Sequence, residues 1–109
     1  MTTRPHPTTD ARFAFDVLRA DQPVVVDFYA DWCRSCQLLD PVLDELAADW
    51  GDRIRVVKLD VEANPHTAER YGVKGIPTLI LFEAGEERDR MVNVIRRQAI
   101  EDRLGTLVP

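Results

Sequence analysis

The sequence predicts an α/β domain built on a central mixed β-sheet with helices covering both faces. Three observations carry this reading. A continuous apolar run over 24–30, a helical pattern over 33–50 and an alternating run over 53–61 form a β-α-β unit, whose strands run parallel with a right-handed crossover. Two later runs, 78–82 and 88–94, flank the turn-forming Glu83-Ala84-Gly85-Glu86 and read as an antiparallel hairpin. The chain of 109 residues is the length of one domain and holds no repeat, linker or low-complexity stretch.

Residues 1–8 are polar and carry Pro5 and Pro7, so this segment is expected to be flexible or weakly ordered, with the domain proper spanning 9–109. Thr9 or Asp10 can cap a helix over 10–20 that buries Phe13, Val17 and Leu18. Pro23 marks the entry to the strand at 24–30, whose near-continuous apolar character suits a central position covered on both faces. Over 33–50, Leu39, Val42, Leu43, Leu46 and Trp50 recur at helical spacing, Pro41 removes one helical hydrogen bond and is expected to kink the helix, and Gly51 is a natural stop. Along 53–61, Ile54, Val56, Lys58 and Asp60 share one face, and Arg55, Val57, Leu59 and Val61 the other. Asn64-Pro65 reads as a cap and a first-turn proline for a short helix that Gly72 ends. A last helix over 97–108 turns Ile100, Leu104, Leu107 and Val108 inward.

Composition excludes several classes. A net charge of −5 with scattered basic residues argues against a nucleic-acid surface. No apolar run approaches the roughly 20 residues of a membrane span. The opening residues have no apolar core of a secretory signal, so a cytoplasmic home is expected. Thiols are kept reduced there, and a Cys-x-x-Cys pair is more often catalytic or metal-binding than structural.

The chemistry gathers at Asp31-Trp32-Cys33-Arg34-Ser35-Cys36, where the first long strand gives way to a helix. These are the only two cysteines in the chain. A helix N-terminus offers free N–H groups and partial positive charge, which favour a thiolate, the reactive form of cysteine. Cys33, at the helix start, is the candidate nucleophile, and Cys36, one turn deeper, the resolving thiol. The alternatives are half of a zinc site or two inert core cysteines. Zinc takes about four ligands, and His6 and His66, the only histidines, lack ligand-like spacing to the cysteines, so no metal and no cofactor are expected. Asp27 interrupts an apolar strand. Burial there raises a carboxyl pKa, and the ionised form could take the proton from Cys36; the plainer alternative pairs Asp27 with a surface cation. Lys58 shares a strand face with Ile54 and Val56, an odd place for a lysine, and on the residues alone reads as a snorkelling surface side chain.

Trp-Cys-x-x-Cys after an Asp-bearing strand resembles the thioredoxin family. Asp27 lies six residues before Cys33, Pro41 interrupts the next helix, and Gly75-Ile76-Pro77-Thr78 resembles the family's cis-proline loop. The likeness runs from about residue 9 to about residue 107 and implies the thioredoxin fold, with a first edge strand that the prolines here leave short, displaced or missing. It implies a protein dithiol/disulfide oxidoreductase acting as a monomer on disulfide-containing proteins and reduced in turn by a thioredoxin reductase. It also implies that Pro77 faces the cysteines, that Lys58 lies near the buried Asp27 and tunes it, that the backbone of Ile76 pairs with an extended substrate, and that Trp32, Ile76, Val92, Asn93 and Val94 form the docking rim. Taken singly, Pro77 reads as an ordinary turn proline and the rim residues as plain core. Four departures bear on potential and partner choice: Arg34-Ser35 for Gly-Pro, Gln37 for lysine, Tyr29 for tryptophan and Asn93 for glycine. Arg34 adds positive charge beside Cys33, which favours the reduced form and a more oxidising couple. A different class also fits: a redox-sensitive interaction module in which Cys33 and Cys36 control binding with little turnover.

Overall fold

The computed structural model describes residues 4–105. Five strands form one sheet in the order β1-β3-β2-β4-β5: β1 (His6–Pro7), β2 (Val24–Tyr29), β3 (Arg55–Asp60), β4 (Thr78–Glu83) and β5 (Glu86–Val92). β1 and β2 pair with β3 in parallel, whereas β2–β4 and β4–β5 are antiparallel. The sheet is therefore mixed, as the spacing of the apolar runs predicts. β1 exists but spans two residues at the sheet edge, where a proline lacking an N–H is tolerated. Its pairing continues through Thr8, whose N–H donates to the Lys58 carbonyl at 2.8 Å.

Alternation along β2 decides which helix meets which residue. Val24, Val26 and Phe28 turn to one face, where they join Phe13, Val17, Val57, Leu59, Ala68, Ile80 and Phe82. Val25 turns to the other, beside Val56, Leu79 and Leu81 and beneath the helices α1 (Arg34–Trp50) and α3 (Arg97–Leu104). α1 contributes Leu39, Leu43, Leu46 and Trp50, and α3 contributes Ile100 and Leu104. Each such side chain, fully buried, contributes roughly 1.5–3 kcal/mol, so the two layers leave room for one costly polar residue between them. By the same alternation Asp27 lies on the α1 face, two residues beyond Val25.

Several local expectations change. The helix expected over 10–20 is reduced to a turn at Asp10–Arg12 and a π-helical segment, Ala14–Leu18, closed by the Arg19 N–H on the Ala14 carbonyl at 3.0 Å. Phe13 and Val17 are buried as expected, with Asp16 beside them. The chain must become extended before Pro23, because proline bars helical geometry in the residue preceding it.

The cap of α2 (Pro65–Arg70) is also different. The Asn64 side chain does not cap it. Instead Asp10, from the other end of the sequence, accepts the N–H groups of His66 and Thr67 at 3.1 and 2.8 Å and the Thr67 hydroxyl at 2.7 Å. Asn64 is turned away, accepting the Asp10 N–H and donating to the Asp60 carbonyl. A tertiary carboxylate thus takes the place of the local amide.

β5 ends at Val92, not Val94, because Asn93 adopts φ 58°, a left-handed turn that no strand continues through. The β4–β5 turn puts Ala84 at φ 53° and Gly85 at φ 80°, the paired positive angles of a tight hairpin. α1 runs continuously through Pro41, which faces solvent, to a Gly51 at φ 57°. Of the inward residues expected in the last helix, Ile100 and Leu104 are buried, while Leu107 and Val108 lie outside the described residues.

Candidate active site

β2 ends at Tyr29, and Ala30-Asp31-Trp32 carries the chain to the N-terminus of α1. Cys33 is the cap residue of that helix, with extended backbone (φ −82°, ψ 113°). Its Sγ accepts the Cys36 N–H at 3.2 Å, filling the place usually held by a serine or aspartate oxygen. The Cys33 N–H donates to the Ala30 carbonyl at 3.2 Å, and the Gln37 side chain donates to the Asp31 carbonyl at 2.9 Å, so the loop is tied at both ends. Both cysteines are free thiols and buried, Cys33 6% exposed and Cys36 2%. Trp32, at 67%, stands outside, and Arg34 is exposed.

Burial pushes the Cys36 thiol up to about 12, with the Cys33 hydrogen bond and the charges of Cys33 and Asp27 adding to it and the Ala30 backbone opposing it. A thiol so reluctant to ionise needs a proton acceptor if it is to attack. The nearby candidate is Asp27. It is fully buried, and neither carboxylate oxygen has a hydrogen-bond partner among the described residues. Burial raises its pKa to about 7, the charge of Lys58 pulling it down and that of Asp40 pushing it up.

Lys58 is the register partner of Asp27 across β2–β3. Its ammonium nevertheless bonds Asp40 on α1, Nζ to Oδ1 2.8 Å, and lies over the Tyr29 ring, 4.5 Å from its centroid. Burial works against this cation, yet the hydrogen bond to Asp40 and the charges of Asp40, Asp27 and Tyr29 raise its pKa above the ordinary lysine value.

The proline loop closes the site from the far side. The Ile76–Pro77 peptide is cis, and Ile76 packs with Tyr29 and Val61 against the cluster of Ala30, Cys33 and Cys36. The Asn93 N–H donates to the Pro77 carbonyl at 2.6 Å, which draws the end of β5 against this loop. Val92 is exposed and faces Gly75 so closely that a Cβ there would come within 3.1 Å of its Cγ1. Asn93, in place of a glycine, is one of the few non-glycine types that tolerate positive φ. Val94 packs against the core beneath α1, whereas Trp32 and Val92 are open. His66 is exposed on α2. Ser35 is partly exposed in the first turn of α1.

Asp40 is the residue sequence reasoning passed over. It follows Cys36 by four positions, one helical turn, and so shares the α1 face that meets β3. An acid at that spacing, opposite a lysine on the strand beneath, was the available signal. Among the described residues no three His, Cys, Asp or Glu side chains gather where they could hold a metal ion.

A Cys-x-x-Cys pair at a helix start on this mixed sheet, facing a proline loop, defines the class of thioredoxin-type disulfide reductases. Comparison with known proteins agrees: residues 4–106 match the Thioredoxin family profile. The chain is 46% identical over 101 residues to the thioredoxin of Mycobacterium tuberculosis, covering 93% of this chain and 87% of that protein. Against the thioredoxin of Pseudomonas aeruginosa it is 45% identical over 92 residues, 84% of this chain and 85% of the other, and against that of Rickettsia typhi 39% over 94 residues, 86% and 90%. The chain belongs to the thioredoxin family, and its general activity is that of a protein disulfide oxidoreductase.

Proposed function

We propose that Cys33 and Cys36 are the redox pair with which this protein reduces disulfides in other proteins. The observation that carries the reading is the Cys33 sulfur at the N-terminal cap of α1 with Cys36 buried beside the unpartnered Asp27 carboxyl. The Cys33 thiolate attacks one sulfur of the substrate disulfide. That bond breaks, one substrate thiolate leaves and takes a proton, and a mixed disulfide forms. Asp27, ionised, accepts the Cys36 proton. Cys36 then attacks the Cys33 sulfur, the mixed disulfide breaks, and the second substrate thiol departs with both electrons delivered. The protein is left with a Cys33–Cys36 disulfide, which an external dithiol donor, a thioredoxin reductase, returns to the dithiol.

Substrate docks along the rim of Trp32, Ile76, Pro77, Val92, Asn93 and Val94. The exposure of Trp32, next to Cys33 in the chain, and of Val92, against Gly75 of the proline loop, supports this, as does the Asn93–Pro77 hydrogen bond that joins the two loops. Arg34 and Ser35 set the potential, and Lys58 tunes Asp27. No helix among the described residues is long and apolar enough to cross a membrane, and we place the protein in the cytoplasm as a monomer.

Insulin reduction, first with dithiothreitol and then with NADPH and a thioredoxin reductase, tests the reading. The wild type turns over in both. Cys33→Ser and Cys36→Ser each lose steady-state turnover. Stoichiometric oxidation without turnover would instead mark a redox-sensitive interaction module.

A further inference from the structure

The geometry points to Asp40 as a positioning residue that holds the Lys58 ammonium away from the Asp27 carboxyl and so governs when Asp27 can take a proton. The inference rests on the proton-acceptor role of Asp27 given above.

Asp27 and Lys58 are register neighbours on adjacent parallel strands, which lie about 4.8 Å apart. Both occupy the sheet face beneath α1, in line with Val25 and Val56. Such a pair would ordinarily form an ion pair. Here it does not: among the described residues both Asp27 oxygens are buried without a hydrogen bond, while Lys58 donates to Asp40 at 2.8 Å. The Tyr29 ring, 4.5 Å from Nζ, steadies the ammonium in that outward position. Asp40 lies nearer solvent, its side chain 42% exposed against 24% for Lys58. The cation is therefore drawn toward the water-facing side of the site, and the inner carboxyl is left without its counter-ion.

The other groups around Asp27 do not compete for this role. α1 also presents Cys33 and Cys36, and β2 itself Tyr29, on which Asp31 and Asp60 act in turn. From β4 the register neighbour is the apolar Leu79, and α3 offers Ile100 and Leu104 to this side of the sheet. The α3 arginine nearest the core, Arg97, is bound to Glu45, Asp49 and Glu101. Among the described residues Lys58 is the cation that acts on Asp27, and Asp40 is the group bonded to it.

Removing the Asp40 charge acts twice in the same direction. It frees Lys58 to turn to Asp27, and it deletes a negative charge that disfavours Asp27 ionisation. The test is direct titration of Asp27 in the reduced protein, by carbon-detected NMR of its carboxyl, in wild type, Asp40→Asn, Lys58→Met and the double variant. The pH profile of mixed-disulfide resolution is measured alongside. Asp40→Asn is expected to lower the Asp27 midpoint by about half a unit or more. Lys58→Met raises it, and in that background Asp40→Asn has less than half its effect, because only the direct charge remains. Asp40→Glu, which keeps the charge, restores a titration close to wild type and shows that the shift is not a folding defect. An unmoved Asp27 midpoint in Asp40→Asn, or a shift equally large with and without Lys58, overturns the proposal. A midpoint that moves as expected while the resolution profile stays fixed upholds the positioning by Asp40 and overturns instead the proton-acceptor role of Asp27.

Discussion

Replacing Asp27 with asparagine should change the pH dependence of stability in a way the geometry fixes in sign. The carboxyl is fully buried, has no hydrogen-bond partner, and is raised by burial to about 7. In the unfolded chain an aspartate titrates near 3.9, taken as about 4. Between those values the native state holds one proton more than the unfolded state, so stability falls as pH rises and levels off above the native value. The contribution is complete below pH about 4 and lost by pH about 7. At about 1.4 kcal/mol per unit, the whole loss is about 4 kcal/mol, of which roughly 3 kcal/mol falls above pH 5. Asparagine has no such titration. The stability of Asp27→Asn relative to wild type should therefore increase by roughly 3 kcal/mol from about pH 5 to about pH 8. The fixed cost of an unpartnered amide cancels in that difference. Denaturant unfolding of the reduced proteins at both pH values measures it. A variant-to-wild-type difference that is the same at both would refute the assignment of a protonated, buried Asp27.

Three further outcomes follow from other parts of the molecule. Arg34 and Ser35 should make the couple more oxidising than the usual thioredoxin reference of about −270 mV, by roughly 10–40 mV, and Arg34→Gly with Ser35→Pro should remove the difference; equilibration against a glutathione buffer reads it, and an equally or more oxidising variant contradicts the electrostatic argument. Asp10→Ala strips the N-terminal cap from α2 and should destabilise the protein by about 1–2 kcal/mol in denaturant titrations. Its hydrogen bonds to Thr67 and His66 outweigh burial and lower the Asp10 pKa, so that stabilisation is present above the ordinary carboxylate range and fades as pH falls through the native value. Asn93→Val, at φ 58°, should cost about 1–2 kcal/mol in thermal or denaturant unfolding, whereas Asn93→Gly should be neutral or stabilising.

The parts of the fold that could be read from sequence are those where one periodicity dominates. The apolar run of β2, the alternating β3 and the helical stripe of α1 each bury what their spacing says they bury. The expected lengths went astray where a distant group or a single backbone angle intervened. Asn64-Pro65 carries the local signature of a cap, yet the carboxylate that does the capping comes from Asp10, and no local pattern reports a partner 56 residues away. Asn93 breaks β5 two residues early because its φ is positive, a choice asparagine permits but does not announce. In the site, Cys33, Cys36 and Asp27 stand out because each is an exception in its surroundings. Asp40 does not: an acid on a helix reads as solvated surface until the sheet brings Lys58 beneath it.

The central claim is that Cys33 attacks and Cys36 resolves. Its most direct test is capture of the mixed disulfide. Each single serine variant is reduced, mixed with a disulfide-bonded protein substrate, quenched with acid and analysed by intact mass spectrometry. Cys36→Ser should accumulate a covalent adduct through Cys33, because attack still occurs and resolution cannot. Cys33→Ser should remain unmodified, its remaining thiol being buried and hard to ionise. An adduct on Cys33→Ser and none on Cys36→Ser would contradict the account.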